Sequence, residues 1–359
     1  MKLLILSRYG RQGASSRLRM MQYIPTLEAA GFKVETAPFF DDAYLTALYG
    51  GNGRAAAIPK YYLRRAMQAR RRPRPDLIWL EKEVFPWLPW GLERKLLPRG
   101  IPIVADYDDA VFHRYDLHAR RAVRTVLGQK IDHVMAHAGA VTAGNAYLAD
   151  RANAAGARHI CTVPTVVDTT SYAMKGPHAS DDTVRVGWIG TPGTWEECVA
   201  PFLPVLEGIM TEAAARLCAV GAGQAAAGAN TVEVLEWSED AEVALIQGMD
   251  IGVMPLPDTP WMRGKCGYKL IQYMACGLPV VASPVGVNAE MVEHGVNGFL
   301  AMTNDEWRDA LTTLARDPAL RRRMGRAGRE KVEREYSLQV QGPRVAQLLR
   351  DVASLTAVG

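Results

Sequence analysis

The chain has 359 residues, of which 48% are hydrophobic and 22% charged, a composition that excludes a disordered chain, a collagen and a coiled-coil rod. No apolar run approaches the ~18 residues of a membrane-spanning helix, and the start, MKLLILSRYG, predicts a buried first strand rather than a secretion signal. Five scattered cysteines without a C-x-x-C pair favour neither a zinc site nor disulfides and indicate a reducing cytoplasm.

Positive charge is concentrated in the first half of the chain. Residues 1–170 hold 25 Lys and Arg against 15 Asp and Glu, a net charge of +10, whereas residues 171–359 hold 17 against 23, a net charge of −6. The first half therefore suits an anionic partner, such as a membrane surface, a phosphorylated lipid or nucleic acid.

Short apolar runs alternate with helical patterns, which is typical of parallel sheets covered by helices. The predicted strands are residues 2–6, 33–37, 77–80, 103–105, 140–142 and 160–163, then 184–189, 215–220, 232–235, 251–255, 279–282 and 299–301. A turn-rich segment, 164–182, separates the two sets. The pattern predicts an α/β protein with two doubly wound Rossmann-like domains, 1–170 and 171–337, that face a central cleft. We expect a last helix, at about 338–359, to pack back onto the first domain.

The loop after the first strand, SRYGRQGASSRLR, is basic and contains Gly10 and Gly13. Glycines let a ligand approach the backbone, and the amides at the next helix start can bind an anion. The spacing matches neither G-x-G-x-x-G nor a Walker motif. The loop therefore predicts a substrate contact, with Gly13 at the ligand, or otherwise a solvated basic turn.

Residues 39–74 carry aromatic side chains followed by six arginines between positions 64 and 74. Such a segment is compatible with a core-packed helix that has a solvated arginine end, with an anionic bilayer or with single-stranded nucleic acid. We favour contact with an anionic membrane surface through residues ~40–74, and no nucleic acid.

Three carboxylates, Asp106, Asp108 and Asp109, follow the predicted strand 103–105. Carboxylates repel one another when they lie close together, so something is expected to bind them. The alternatives are a divalent metal, sugar hydroxyls, or a helix start that one of them caps.

The second half has a more specific pattern. The strand VRVGWI runs into Gly190 and Thr191, and Lys265 lies between Gly264 and Gly267 before an apparent helix, 268–275. Glycine-flanked backbone, a helix dipole and ammonium groups are together suited to a diphosphate.

Here the sequence resembles a known family. GYKLIQYMACGLPVVAS and GVNAEMVEHGVNGFL are similar to the donor-binding region of the GT-B glycosyltransferases, specifically the retaining family 4. The segments VGWIG and VADYDDAVFH resemble the start of that family's second domain and its first-domain catalytic loop. The resemblance implies a retaining enzyme that moves a sugar from a UDP- or GDP-type nucleotide-diphosphate sugar to a lipid-linked or polysaccharide acceptor, without a metal or further cofactor.

The residue roles implied by the resemblance depart from the family in one respect. Its members typically have two glutamates eight positions apart, where this chain has Gly264 and Gln272. The catalytic candidates are Asp108, at the position of the family's catalytic-loop histidine, with Lys265 and Gln272. The donor-binding candidates are Gly13, Gly190, Thr191, Trp237, Arg263, Lys265, Cys266, Gly267, Tyr268, Lys269 and Gln272.

Two alternatives stay open from the sequence. One is a sugar-nucleotide 2-epimerase with the same two-domain architecture, and the other is a sugar-nucleotide-binding protein without catalysis. Paired carboxylates for glycoside hydrolysis are a further, less favoured reading. We expect a cytoplasmic protein that contacts the inner face of the membrane peripherally.

Overall fold

The computed structural model describes residues 1–49, 58–70, 73–176, 183–226 and 231–355. It contains all twelve strands that the sequence predicts, with ends that differ by at most a few residues. They are β1 Lys2–Leu6, β2 Lys33–Thr36, β3 Leu77–Glu81, β4 Ile103–Tyr107, β5 Ala140–Ala143, β6 Ile160–Thr162, β7 Val184–Ile189, β8 Ala215–Val220, β9 Val232–Leu235, β10 Ile251–Met254, β11 Val280–Ala282 and β12 Gly298–Leu300.

The described helices connect and cover these strands. In the first half they are α1 Ala14–Arg19, α2 Ile24–Ala29, α3 Asp42–Tyr49, α4 Ile58–Ala69, α5 Trp90–Leu96, α6 His113–Asp116, α7 Arg121–Leu127, α8 Lys130–His137 and α9 Ala146–Ala154. In the second they are α10 Pro192–Cys198, α11 Leu203–Glu212, α12 Glu242–Gln247, α13 Pro260–Arg263, α14 Tyr268–Ala275, α15 Asn288–Met291, α16 Asn304–Arg316, α17 Pro318–Glu335 and α18 Leu338–Leu355. None of the described helices combines the length and the apolar character that crossing a membrane requires.

The strands form two parallel six-stranded sheets, in the orders β2-β1-β3-β4-β5-β6 and β12-β11-β10-β7-β8-β9. The side chains of the inner strands β3, β4, β5, β10 and β11 are buried on both faces, as expected for parallel sheets covered by helices, whereas the edge strand β2 is largely exposed. The strand order reverses at β1 and β3 in the first sheet and at β7 and β10 in the second, and ligands of open α/β sheets bind outside the carboxyl ends of the strands at such a switch point.

The chain divides into two compact units, Met1–Thr165 with Gln341–Gly359, and Val166–Val340. Helix α18 contributes to the first unit because its glycine and its last turns fit closely there. A Cβ at Gly342 would lie 3.0 Å from Thr26 Cγ2, and one at Gly139 would lie 3.4 Å from Val352 Cγ1. Arg350 adds a cation–π contact, with its guanidinium carbon 5.7 Å from the Phe32 ring centroid.

The predicted membrane-docking segment is largely part of the first unit's core. Phe39, Phe40 and Tyr61 are buried against one another, and Arg65 is 1% exposed, donating to the backbone carbonyls of Ala37 and Ser7. The expectation that these aromatics lie on a bilayer is therefore wrong, because edge-to-face packing in the core uses them instead. Arg71 and Arg72 lie outside the described residues.

Candidate functional site

The predicted donor residues of the second unit lie at its switch point. Gly190 and Thr191 directly follow β7, and Arg263 and Lys265 belong to the connection that follows β10. Because β7 and β10 are neighbours in the sheet, the loops at their carboxyl ends start side by side at the same edge of the sheet. The two loops then turn to opposite faces of the sheet, which leaves a crevice between them. The topology thus places residues some 75 positions apart in one region.

Gly190 is needed where it stands because two side chains occupy the space of a Cβ. An added Cβ would lie 2.6 Å from the Trp188 ring and 2.9 Å from Lys269 Cε. Lys269 extends over that ring, with its Nζ 5.3 Å from the ring centroid. A glycine after β7 therefore lets the ammonium group of α14 reach the end of the strand, and the indole face supports it there.

The amino terminus of α14 has a backbone conformation that requires glycine. Gly267, the residue before the helix, has a φ of 65°, and an added Cβ would lie 2.6 Å from Met291 Sδ. The preceding Cys266 is 7% exposed, so its thiol is buried beneath this turn. The arrangement directs the first amides of α14 and the positive end of its dipole towards the carboxyl edge of the sheet.

The two other cations of this connection have protein contacts of their own. Lys265 Nζ lies 5.5 Å from the Trp261 ring centroid. Arg263 makes a bidentate ion pair with Asp258, at 2.6 and 2.9 Å. That pair is solvent-exposed, and exposed pairs are weak enough to be exchanged for a phosphate. Thr191 caps α10, accepting from the Thr194 amide at 3.4 Å.

Three predicted residues, Trp237, Tyr268 and Gln272, belong to one hydrogen-bonded cluster around Tyr172 and Glu242. Gln272 Nε2 donates to Tyr172 Oη at 3.0 Å, and Tyr172 Oη lies 3.3 Å from Tyr268 Oη. Glu242 accepts from Tyr172 and, at 2.7 Å, from Trp237 Nε1. Burial, the Tyr268 hydroxyl and the Glu242 carboxylate raise the pKa of Tyr172, so that hydroxyl stays protonated and donates.

This cluster adds a carboxylate that sequence reasoning missed. Gln272, at the family's second glutamate position, is neutral, and Glu242 on α12 supplies a negative charge to the same group of side chains. Glu242 is distant in sequence and carries no motif, so only the hydrogen bonds identify it. Asn288 was missed as well: it is fully buried, and its Oδ1 accepts no hydrogen bond from any described residue.

The first unit carries a buried group of charges at its own switch point. Lys82, directly after β3, has a φ of 65°, a left-handed conformation that is unusual for a residue with a side chain. Its Nζ lies 2.9 Å from Asp108 Oδ1 and donates to Ser15 Oγ at 3.1 Å, and Ser15 donates to Asp108 Oδ2 at 2.6 Å. Strain of this kind persists only where the surroundings hold the residue in place.

Lys82 determines the charge state of Asp108. Burial alone would raise the pKa of the Asp108 carboxyl, but the Lys82 ammonium, Arg19 and the Ser15 hydroxyl lower it to about 2. In turn, Asp108 and Glu81 raise the pKa of Lys82 despite its burial. Asp108 is therefore an anion at neutral pH, although burial alone would favour the neutral carboxyl.

Of the three aspartates, Asp106 lies within β4 and Asp108 and Asp109 follow it, and the contacts of Asp106 and Asp108 are made within the protein. Asp106 is fully buried and makes a bidentate ion pair with Arg19, at 2.7 and 2.9 Å, and it also accepts from Thr142. Asp108 belongs to the Lys82 group. None of the three alternatives left open by the sequence, a metal, a sugar or a helix cap, describes Asp106, because the Arg19 guanidinium balances its charge. In the described part of the chain, no three His, Cys, Asp or Glu side chains converge as a metal site.

The last arginine of the basic segment SRYGRQGASSRLR, Arg19, is 1% exposed at the end of α1 and is therefore not available to a substrate. Gly13 precedes α1, and an added Cβ there would lie 2.4 Å from Tyr9 Cβ. Two amides of this loop are bonded within the unit, Arg8 N to Glu81 at 2.7 Å and Gln12 N to Asp42 at 3.3 Å. A ligand contact at Gly13 stays a prediction.

The fold with two parallel six-stranded sheets is shared with solved structures. The chain is similar to sucrose-phosphate synthase from Thermosynechococcus elongatus, with a TM-score of 0.70 and 15% identity over 99% of this chain and 100% of the other. It is also similar to Anabaena Alr3699/HepE in complex with UDP-glucose, with a TM-score of 0.67 and 17% identity over 98% and 100%. Identities this low establish the fold alone, and they confirm the predicted GT-B architecture.

The match to a family model lies within the second unit. Residues 183–317 match the family model described as Glycosyl transferases group 1. The chain is 35% identical over 72 residues to N-acetyl-alpha-D-glucosaminyl L-malate synthase of Bacillus anthracis, and 39% identical over 69 residues to D-inositol 3-phosphate glycosyltransferase of Kribbella flavida. These alignments cover about a fifth of this chain and 19% and 16% of those relatives. The predicted resemblance to GT-B glycosyltransferases is thereby confirmed, and family 4 in particular stays a prediction.

Proposed function

We propose that the chain is a retaining glycosyltransferase that takes a sugar from a UDP- or GDP-sugar and passes it to a lipid-linked or polysaccharide acceptor without a metal ion. The observation that carries the proposal is the amino terminus of α14, where Gly267, Lys265 and Lys269 combine with Gly190 inside the segment that matches the glycosyltransferase family. UDP-glucose is bound by HepE, and one relative of Corynebacterium glutamicum is GDP-mannose-dependent by name. Both nucleotides are therefore the first to test.

In the proposed site the α14 terminus holds the diphosphate. Lys269 extends past Gly190 towards the end of β7, and the helix dipole adds to its positive charge. Lys265 lies on the preceding turn, and Arg263 becomes available once a phosphate replaces Asp258. These cations do the work that a divalent ion does in other phosphate sites.

The same groups favour the chemical step. When the bond between the sugar and the diphosphate breaks, negative charge develops on the departing phosphate, and fixed cations beside it stabilise that charge most in the transition state. In the retaining reaction that the family resemblance implies, the leaving phosphate accepts the proton of the incoming hydroxyl on the same face of the sugar. Gln272, fixed by Tyr172, is proposed to orient the donor.

On the acceptor side, the proposal assigns Asp108 to hydrogen bonding with a sugar hydroxyl. An ionised carboxylate accepts hydrogen bonds more strongly than a neutral one, and Lys82 keeps Asp108 ionised. Its partner Ser15 lies in the same carboxyl-edge region of the first unit, after β1. The Lys82–Asp108–Ser15 group is therefore the acceptor-side counterpart of the α14 terminus.

Nucleotide binding tests the placement of the donor. Lys265→Ala and Lys269→Ala should each weaken UDP or GDP binding by ~1.5–3 kcal/mol, the range for a hydrogen bond to a charged group. Isothermal titration calorimetry gives the affinities, and Lys33→Ala, an exposed lysine of the first unit, is the matched control. If both variants bind nucleotide as tightly as the wild-type protein, the diphosphate lies elsewhere.

Metal independence has a test of its own. We expect sugar transfer to continue in excess EDTA, because Lys265, Lys269 and the α14 dipole supply the charge that a cation would otherwise supply. The measurement is the rate of nucleoside diphosphate release with and without chelator. Complete loss of activity that Mn²⁺ restores would contradict the expectation and assign a carboxylate to metal binding.

A further inference from the structure

A cavity of about 750 Å³ opens in the first unit at the amino ends of its strands. Ile103, the first residue of β4, and Gly139 and His159, which precede β5 and β6, lie along its wall. A five-residue strand such as β4 is ~17 Å long, so the cavity lies that far from Lys82 and Asp108, which follow the carboxyl ends. Its volume falls within the ~300–1,000 Å³ of small-molecule sites.

The charge of this cavity has one sign. Four of its lining residues, Arg94, Lys95, Arg99 and Arg158, are cations, and none is an Asp or Glu. Across the described ranges, none of these four side chains forms an ion pair with a carboxylate. All four are exposed to solvent. Unpaired like charges around one concavity repel each other, and an anion that binds among them relieves the repulsion.

The floor of the cavity is apolar and aromatic. Leu97, Ile101 and Val352 line it, and Val352 comes from α18, so both chain segments of the first unit contribute to the cavity. Trp90 packs edge-to-face against His137, with ring centroids 5.2 Å apart. Burial, Arg94 and Arg158 lower the pKa of His137.

We propose that this cavity binds a soluble amphiphilic anion, a phosphate-type group carried by an apolar chain or ring. The guanidinium groups of Arg94, Arg99 and Arg158 bind the anionic group, and Leu97, Ile101, Val352 and the Trp90 ring cover the apolar part. The site is separate from the proposed donor and acceptor residues, and it does not depend on them.

A single concave site fits a dissolved ligand better than a bilayer. The aliphatic lining side chains Leu97 and Val352 are 8% and 4% exposed, so they do not project from the surface as residues that enter a bilayer do. A lipid headgroup carries the same phosphate chemistry, so the experiment has to separate the two sources.

Octyl phosphate, used below its micellar concentration at low salt, is the probe. We expect calorimetry to show that octyl phosphate binds the wild-type protein at least tenfold more tightly than either of two comparison compounds. Inorganic phosphate has the anionic group without the apolar chain, and octyl glucoside has the apolar chain without the anionic group. The Arg94→Gln/Arg158→Gln double variant should lose at least tenfold in affinity. Arg216→Gln/Arg323→Gln removes the same charge from exposed positions of the second unit and should bind as the wild type does.

Histidine NMR locates the site. Bound octyl phosphate should raise the pKa of His137, since an anion beside Arg94 and Arg158 offsets their repulsion of the imidazolium. Trp90→Ala should weaken binding without removing any charge. This variant therefore measures the apolar contribution to binding separately from the contribution of the arginines. The proposal is overturned if octyl phosphate binds no better than inorganic phosphate, if the double variant binds normally, or if only phosphatidylglycerol vesicles bind and the monomeric probe does not.

Discussion

Lys82 shows how a single residue can connect backbone strain with electrostatics. A lysine with a φ of 65° costs on the order of 1–2 kcal/mol relative to a relaxed conformation, and nothing in the letters EKE at the end of β3 indicates it. The ion pair with Asp108 and the hydrogen bond to Ser15 offset that cost. Strained residues of this kind concentrate at functional sites, which is why we place the acceptor side here.

Removing the Lys82 ammonium should destabilise the first unit. Lys82→Met leaves the Asp108 carboxylate buried without its main cation, a loss of ~3–5 kcal/mol for a broken buried pair. Lys82→Met/Asp108→Asn should recover most of that loss, because the second change removes the unpaired charge. Urea unfolding of the two single variants and the double variant measures the coupling. If the losses of unfolding free energy in the two single variants add up to the loss in the double variant, the two side chains do not interact.

The same pair predicts a dependence on pH. The pKa of Asp108 is lowered in the folded state to about 2, against ~3.9 in an unfolded chain. Its contribution to stability is therefore present above pH ~3.9 and is lost as the pH falls towards 2. In Lys82→Met the pKa of Asp108 rises, so acid unfolding should begin at a higher pH than in the wild-type protein. An unchanged acid midpoint by circular dichroism would contradict this.

Gly190 provides a second test on the scale of one residue. In Gly190→Ala the new methyl group meets the Trp188 ring at 2.6 Å and Lys269 Cε at 2.9 Å. Trp188 is 1% exposed and cannot move aside freely, so we expect overpacking of ~1–3 kcal/mol and a displaced Lys269 ammonium. The midpoint temperature of thermal unfolding and the affinity for UDP should both be lower than in the wild-type protein.

Gly193→Ala is the matched control for Gly190→Ala. A Cβ at Gly193 meets nothing within 4 Å, and the residue lies in the first turn of α10. Its nucleotide affinity should equal that of the wild-type protein. If the two alanine variants behave alike, Gly190 does not position Lys269.

At the scale of elements, the sequence predicts α14 with the bounds that the structure gives, Tyr268–Ala275. Apolar residues at helical spacing, a preceding glycine and a following one define those ends locally. The contacts of the side chains around the helix, in contrast, do not follow from the local sequence. Gln272 donates to Tyr172, on a connecting segment, and Tyr172 donates to Glu242 of α12. No local pattern predicts which distant hydroxyl will meet a buried amide.

Tyr172→Phe should show what this cluster does for α14. The change removes the hydroxyl that Gln272, Glu242 and Tyr268 share, so buried polar groups lose a partner at a cost of ~1–3 kcal/mol. Chemical unfolding should report the lower stability, and nucleotide affinity should fall because Gln272 is no longer fixed. Tyr336→Phe, in the same unit, is the control, since in the described chain the Tyr336 hydroxyl has no hydrogen-bonding partner. Equal stability of the two variants would mean that the cluster contributes nothing.

At the scale of the whole molecule, the sequence predicts the strands of both sheets well because parallel strands are short continuous apolar runs. The order of the strands within each sheet comes from the structure. The distribution of charge is predicted less well. Three cations of residues 1–170 are paired inside the first unit: Arg19 with Asp106, Lys82 with Asp108, and Lys130 with Glu83 and Glu93. Composition counts those cations as a surface field, and only the structure separates the buried pairs from the arginines that remain around the cavity at the amino ends of β4, β5 and β6.

Acceptor-dependent release of nucleoside diphosphate from a panel of UDP- and GDP-sugars tests the central claim most directly. We predict that the wild-type protein releases UDP or GDP from one donor, faster when a lipid-linked or polysaccharide acceptor is present, and that Lys265→Ala/Lys269→Ala lowers the rate by at least tenfold. Release of nucleoside diphosphate at the same rate with and without the acceptor would favour an epimerase or a hydrolase. Tight nucleotide binding with no turnover of any donor would contradict the proposed transferase and leave a sugar-nucleotide-binding protein.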